Sequence, residues 1–326
     1  MIINNKKFIN FCKENFTSFI NNIIPHPLNK DNVGKWILSH KEEEKICARL
    51  ASTCFRNISI SETLDVLNKI CEELILLQQN RKLILFLSCP TEPSDILIKS
   101  NFFISVLLYY IASEKKLNFS AVITEKEDLN ELKIDPSNAI LVIPDDCSYS
   151  GSQLSGVVYG LANKNNKLPM KVFLVLVAIS QTAKRAFNNW KNEIIFSSHT
   201  ILFDSIFSSV KNSDSFKMLT EDEKKDIIKN LPDLHAVYFD FKIPDTLSII
   251  SSTFLFGYYI TGIKPLQPLP LISGCEDNCI KIFTDPNFKE VEDPTDYNNI
   301  CPYPIYKYKK YTYNQEIIED LIILEN

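Results

Sequence analysis

Along the first 80 residues apolar side chains return every three or four positions, the spacing of one helix face. Residues 6–24 set Phe8, Phe11, Cys12, Phe16, Phe19, Ile20 and Ile23 on such a stripe. The segment KEEEKICARLASTCF (41–55) repeats the pattern with Ile46, Leu50, Ala51 and Cys54. Ser59 and Glu62 stand three apart ahead of Leu67, Ile70, Cys71, Leu74 and Leu77, the signature of a capping box opening a helix. These spacings predict a helical N-terminal region over residues 1–80.

From residue 82 the rhythm changes to short, unbroken apolar runs. KLILFLS (82–88), FSAVIT (119–124), AILVIP (139–144), KVFLVLVAIS (171–180) and the weaker EIIFSS (193–198) read as strands. A strand buried on both faces of a parallel sheet has no polar side to show, so its alternation disappears. Helical stretches lie between these runs, at about 96–113, 152–165 and through TAKRAFNNW (182–190). Strands alternating with helices imply right-handed crossovers. The prediction is an α/β core over 81–200, built on a mostly parallel, doubly wound sheet. Beyond it, ILFDSIFSSV (201–210) reads as helix, Thr220 and Glu223 as a second capping box, and HAVYFDFKI (235–243) as an edge strand. Proline and aromatic residues then accumulate, from KPLQPLPLISG to CPYPIYKYKKYTY. Residues 201–326 are therefore expected to form an irregular extension, rich in Pro and aromatic residues and packed on the core.

Composition narrows the classes. A formal net charge of -5 gives no general basic surface for nucleic acid or membranes. The longest apolar stretch, 102–112, is about half of what a membrane-crossing helix needs. The N-terminus lacks the apolar core of a secretion signal, so a cytoplasmic protein is expected. Nine thinly spread cysteines favour reduced thiols over a disulfide framework. Their one close pair, Cys275 and Cys279 with Cys301 further on, lacks a fourth ligand, and no protein-held metal site is read there. The interleaved lysines and aromatics of 303–313 sit in an acidic chain, which favours a clasp folded onto the domain over a nucleic-acid surface.

One stretch departs from its surroundings. LVIPDDCSYSGSQLSG (141–156) ends an apolar run at a proline, then sets Asp145 and Asp146 before a turn of small hydroxyl residues. The chain has only seven glycines, yet Gly151, Gly156 and Gly160 fall within ten residues of one another. Ligands of open parallel sheets bind at the carboxyl ends of strands. A turn leading into a helix there offers backbone N–H groups and the positive end of the helix dipole to a phosphate. Ser148, Ser150 and Ser152 add hydroxyls, and Gly151 lets the backbone approach an anion. Two carboxylates beside a phosphate cradle make chemical sense if they meet sugar hydroxyls or magnesium. A ribose carrying a 5-phosphate satisfies both halves. Gly156 and Gly160 are expected to let the following helix press against the sheet.

Residues 140–153 resemble the phosphoribosyl-pyrophosphate binding motif of type I phosphoribosyltransferases: apolar strand, Asp-Asp, three residues, Ser or Thr, Gly, then a small residue. The likeness extends to the strand and helix order over about 82–198. It implies the fold of that family, with Asp145 and Asp146 as the catalytic acids at the ribose hydroxyls. It also implies that Cys147, Ser148, Tyr149, Ser150, Gly151, Ser152 and Gln153 wrap the ribose and 5′-phosphate. The pyrophosphate would fall to the loop after the first core strand, where Ser88, Cys89 and Thr91 are the candidates. Magnesium is the implied metal, and phosphoribosyl pyrophosphate or a ribonucleotide the implied ligand. Two departures matter. Gln153 stands where threonine is usual, and the loop SCPTEPSD (88–95) has no glycine or basic residue but carries Glu92 and Asp95. Like charges ~4 Å apart repel by about 4 kcal/mol at an intermediate dielectric. Two functions therefore stay open: a phosphoribosyltransferase acting on a nitrogen base, or a non-catalytic relative serving as nucleotide sensor or protein-interaction module.

Overall fold

The structure is a computed structural model that describes residues 30–39, 42–87, 100–124, 134–164, 171–188, 194–230, 235 and 237–239, with three single residues before 30. The helix expected over 6–24 lies almost wholly outside these residues, as does the extension beyond 239. The chain divides into two compact units, one made of residues 1–22, 61–202 and 309–326 and the other of residues 23–60 and 203–308.

In the second unit, helix α1 (Lys30–Ser39) packs on α2 (Glu42–Ser52). The buried stripe of α2 is Cys47, Ala48, Leu50 and Ala51, while Ile46, expected inside, is 42% exposed. Strand β1 (Arg56–Ile58) was not legible, because three residues are too few to display a period. It pairs in parallel with β8 (Val237–Phe239), Ile58 opposite Phe239, and both are fully buried. The expected edge strand thus exists, in a small separate sheet.

The first unit carries the α/β core. Helix α3 (Ile60–Gln78) begins immediately after Ser59, as the capping signature requires, and buries Val66, Leu67, Ile70, Cys71 and Leu74. Strand β2 (Lys82–Phe86) follows, then α4 (Ser100–Glu114), β3 (Ala121–Ile123), a 3-10 turn at Pro136–Asn138 and β4 (Ala139–Ser148). Helix α5 (Ser152–Lys164) leads to β5 (Lys171–Ser180), α6 (Gln181–Asn188) and β6 (Ile194–Phe196). The strand order is β3-β2-β4-β5-β6, and every register along it is parallel.

Two local readings change. Residues 201–210, expected to be helical throughout, open with β7 (Ile201–Phe203), paired to β5, before α7 (Ile206–Asn212) begins after Ser205. Ser205 accepts the Ser208 N–H, so the helix starts where a cap is available. Two short helices complete this region, α8 (Asp214–Lys217) and α9 (Glu221–Asn230). The second change is that β4 runs to Ser148 and does not stop at Pro144. By residue 144 it has outrun β2, whose last residue is Phe86, and on that side it is an edge among the described residues. A missing proline N–H is tolerated there.

The sheet order carries a consequence. The connection leaving β2 goes to β3 on one side, and those leaving β4 and β5 go to β5 and β6 on the other. With right-handed crossovers, α4 and α5 fall on opposite faces. Helix α5 packs Leu154, Val158 and Leu161 on Leu141, Ile143, Leu174 and Leu176. Helix α4 also packs on β4, with the Leu108 carbonyl 4.0 Å from the Cys71 thiol of α3. The reversal of direction lies between β2 and β4, and their carboxyl ends border a topological switch point.

Candidate functional site

Residues 144–148 of β4 run past β2 and, among the described residues, pair with β5 alone, Asp145 opposite Leu176 and Ser148 opposite Ile179. The acids thus lie inside the strand's final overhang, where the sequence reading had set them just after its end. Asp145 and Asp146 are 6% and 3% exposed. Side chains alternate along an extended strand. Asp145 therefore shares the α5 face with Leu141 and Ile143, and Asp146 belongs to the opposite face. Any one ligand meeting both must sit over the end of the strand. Each carboxylate also accepts its neighbour's amide: Asp146 N–H donates to Asp145 Oδ1 (2.9 Å) and Cys147 N–H to Asp146 Oδ1 (2.8 Å).

The turn that follows reverses this exposure. Cys147 and Ser148 are buried and Tyr149 half-buried, but Ser150, Ser152 and Gln153 are exposed. Gly151 has φ +84°, the left-handed region that favours glycine. A methyl group added there would stand 3.4 Å from Ala183 Cα and 3.5 Å from Ala186 Cβ and Phe187 Cε2, ordinary contact distances. The sign of φ, rather than lack of room, is what calls for glycine. Ser152 N–H donates to Ser150 Oγ (3.2 Å), and the two hydroxyls lie 3.1 Å apart. Ser155 N–H donates to the Gly151 carbonyl (2.8 Å), which starts α5. The first turn of a helix leaves N–H groups without intrahelical acceptors, a setting that suits an anion.

Gly156 and Gly160 do not serve close packing. Both are exposed, and among the described residues nothing lies within 4 Å of where a Cβ would stand. Helix α5 presses on the sheet through Leu154, Val158 and Leu161 instead. A spacing of four could not reveal which face of the helix the glycines occupy.

One residue escaped the sequence reading. Ser180, the last residue of β5, is fully buried, accepts the Ala183 N–H (2.9 Å) and donates to the Tyr149 carbonyl. Its position directly before a helix could have suggested the cap. Its bond to a turn 31 residues earlier could not have been read. His199 lies in the turn after β6, with Nε2 3.7 Å from Glu73 Oε1 of α3. The same carboxylate oxygen accepts both Ser198 N–H (3.2 Å) and Ser198 Oγ–H (2.6 Å). This is a structural tie between a turn and a helix.

Ser88, Cys89 and Thr91, with Glu92 and Asp95, lie outside the described residues, as do Cys275, Cys279 and the aromatic segment 303–313. Among the described residues no three His, Cys, Asp or Glu gather into a metal-binding group. No described helix is long and apolar enough to cross a membrane.

No protein-family model matches the chain, and no curated protein does. Among solved structures it is similar to a purine phosphoribosyltransferase from Pyrococcus horikoshii Ot3, at 13% identity over 45% of this chain and 91% of that one, with a TM-score of 0.26. It is also similar to hypoxanthine-guanine phosphoribosyltransferase from Schistosoma mansoni in complex with IMP, at 15% identity over 51% of this chain and 80% of that one, with a TM-score of 0.27. Identities and scores this low carry no function across, so what identifies a site is this chain's own geometry.

Proposed function

We propose that the chain binds a phosphorylated ribose, as phosphoribosyl pyrophosphate or a ribonucleotide, where β4 passes into α5. One observation carries the reading: two buried carboxylates on a strand overhang at the switch point run directly into an exposed serine turn, whose positive-φ glycine opens a 13-residue helix. The phosphate meets the exposed part, at Ser150, Ser152, Gln153 and the amides of the first turn of α5. The ribose hydroxyls meet the carboxylate oxygens once the sugar displaces what covers them.

Magnesium fits this donor set. Hard carboxylate oxygens suit it, and it is commonly held by one or two carboxylates together with substrate phosphates and water. Asp145 and Asp146 would hold it, and its charge would offset that of the phosphates. The chain's own part in any transfer to a nitrogen base is positional: the turn fixes the 5′-phosphate and the acids orient the ribose, which together set the anomeric carbon in place.

The second reading, a sensor without catalysis, is favoured by one observation. Both Oδ1 atoms already accept neighbouring backbone amides, so the acids have a structural task of their own. Titration calorimetry with phosphoribosyl pyrophosphate and magnesium separates the cases. Binding with base-dependent release of pyrophosphate supports the transferase, and binding alone supports the sensor. Absence of any heat with either ligand class, nucleotides included, removes the site.

A further inference from the structure

We infer that Ser180 is a positioning residue for the turn 149–152, a role that rests on the proposed phosphate site for its ligand but not for its geometry. The hydroxyl has two partners that belong to different elements. It accepts the Ala183 N–H, capping α6, and donates to the Tyr149 carbonyl, in the middle of the turn. Its complete burial means that water cannot take over either bond. The turn meets the same helix a second time at Gly151, whose α-carbon faces Ala183, Ala186 and Phe187. Helix α6 is thus the template on which the turn is shaped, and Ser180 is the hydrogen-bonded pin between them.

This explains how a short turn of small residues holds one conformation without bulky side chains of its own. Ser150, Gly151 and Ser152 have little apolar surface to bury, so local packing cannot select their backbone torsions. An anchor at Tyr149 on one side and the α5 ladder at Ser155 on the other leave few conformations between. The arrangement also couples β5 to ligand affinity, although no β5 side chain is placed against the ligand.

The test uses the full-length chain with Ser180→Ala and Ser180→Thr, read by amide hydrogen exchange of a peptide spanning 149–153 and by ribose 5-phosphate affinity. Ser180→Ala removes both bonds and is expected to speed exchange in that peptide about tenfold or more and to weaken ribose 5-phosphate about tenfold, the scale of one lost buried hydrogen bond. Ser180→Thr keeps the hydroxyl and is expected to return both towards wild type. Unchanged exchange in Ser180→Ala overturns the inference, whatever happens to affinity. Faster exchange that Ser180→Thr fails to reverse overturns it as well, because the hydroxyl was then not the cause. If wild type itself binds no ribose 5-phosphate, the proposed function falls while the exchange data still decide Ser180. Should Ser180→Ala fail to fold, Ser180→Cys, which keeps the shape and weakens both bonds, takes its place. Faster exchange there supports the inference, and unchanged exchange defeats it.

Discussion

At the residue scale, Asp145 separates a functional acid from a structural one. Its Oδ1 accepts the Asp146 amide, and an amide side chain preserves that acceptor while deleting the charge. Asp145→Asn is therefore expected to fold with nearly unchanged stability. If the acid serves a sugar or a magnesium ion, calorimetry should register at least about tenfold weaker phosphoribosyl pyrophosphate, the low end for losing a charged hydrogen-bond partner. Equal affinity would assign the carboxylate a structural task. Cys71 illustrates the opposite, a side chain with chemistry suppressed by its surroundings. Burial raises its thiol from an ordinary 9.0 to about 12. A raised value means the folded state keeps a proton that the unfolded state releases, so stability is full below pH 9.0 and declines from there towards about 12. Denaturation followed across that range should show the decline, and Cys71→Ala should flatten it. In the native state at pH 8, Cys71 should resist thiol reagents that modify it rapidly in denaturant.

At the element scale, α5 and α9 invite opposite changes. Gly156 lies within an exposed helical stretch with open space where its Cβ would stand. Glycine costs a helix roughly 0.5–1 kcal/mol relative to alanine. Gly156→Ala should therefore raise stability by about that much in urea titrations, and a loss would mean that something covers this face. In α9 the capping box is complete: Thr220 N–H and Oγ–H donate to Glu223 Oε2 (2.8 and 2.7 Å), and Glu223 N–H donates back to Thr220 Oγ1 (3.4 Å). The two Thr220 bonds hold the Glu223 carboxyl below its usual range. Thr220→Ala should cost about 1 kcal/mol, measured by thermal or urea unfolding. Below the Glu223 titration the wild-type advantage should shrink, since a depressed carboxyl stabilises only while ionised. Both capping signatures marked helix starts correctly because they depend on residues only three apart. The first turn of 201–210 was misread for the complementary reason: Ile201–Phe203 is apolar in either state, and only its pairing with β5 makes it a strand.

At the scale of the whole molecule, the parallel order β3-β2-β4-β5-β6 places the acids at a reversal of winding, and this is what converts a short motif into a candidate site. A ligand that binds only the native state adds RT ln(1 + [L]/Kd), about 2.7 kcal/mol at a hundredfold excess over Kd. Phosphoribosyl pyrophosphate with magnesium should accordingly raise the unfolding temperature of the intact chain, and at the same concentration the shift should fall by roughly half or more in Asp145→Asn if the acid carries the binding. No shift at saturating concentrations in wild type would argue against the ligand class. Among the N-terminal helices, α3 lies almost wholly in the unit that holds the sheet, and α1 and α2 lie in the unit that holds residues 203–308. Periodicity records which face of a helix is buried, but not against which partner.

The sequence by itself determined the kinds of the longer elements, because helix faces, two-sided burial and caps each leave a mark within about four residues. It also determined the motif: Asp145, Asp146 and the serine–glycine turn are neighbours in the chain. Tertiary structure decided the remainder. That β4 outruns β2 and buries its acids, that Gly156 and Gly160 face outward, and that Ser180 grips a carbonyl 31 residues away all depend on strand register and crossover hand. Those follow from which distant surfaces exclude water together, a choice that no local pattern encodes.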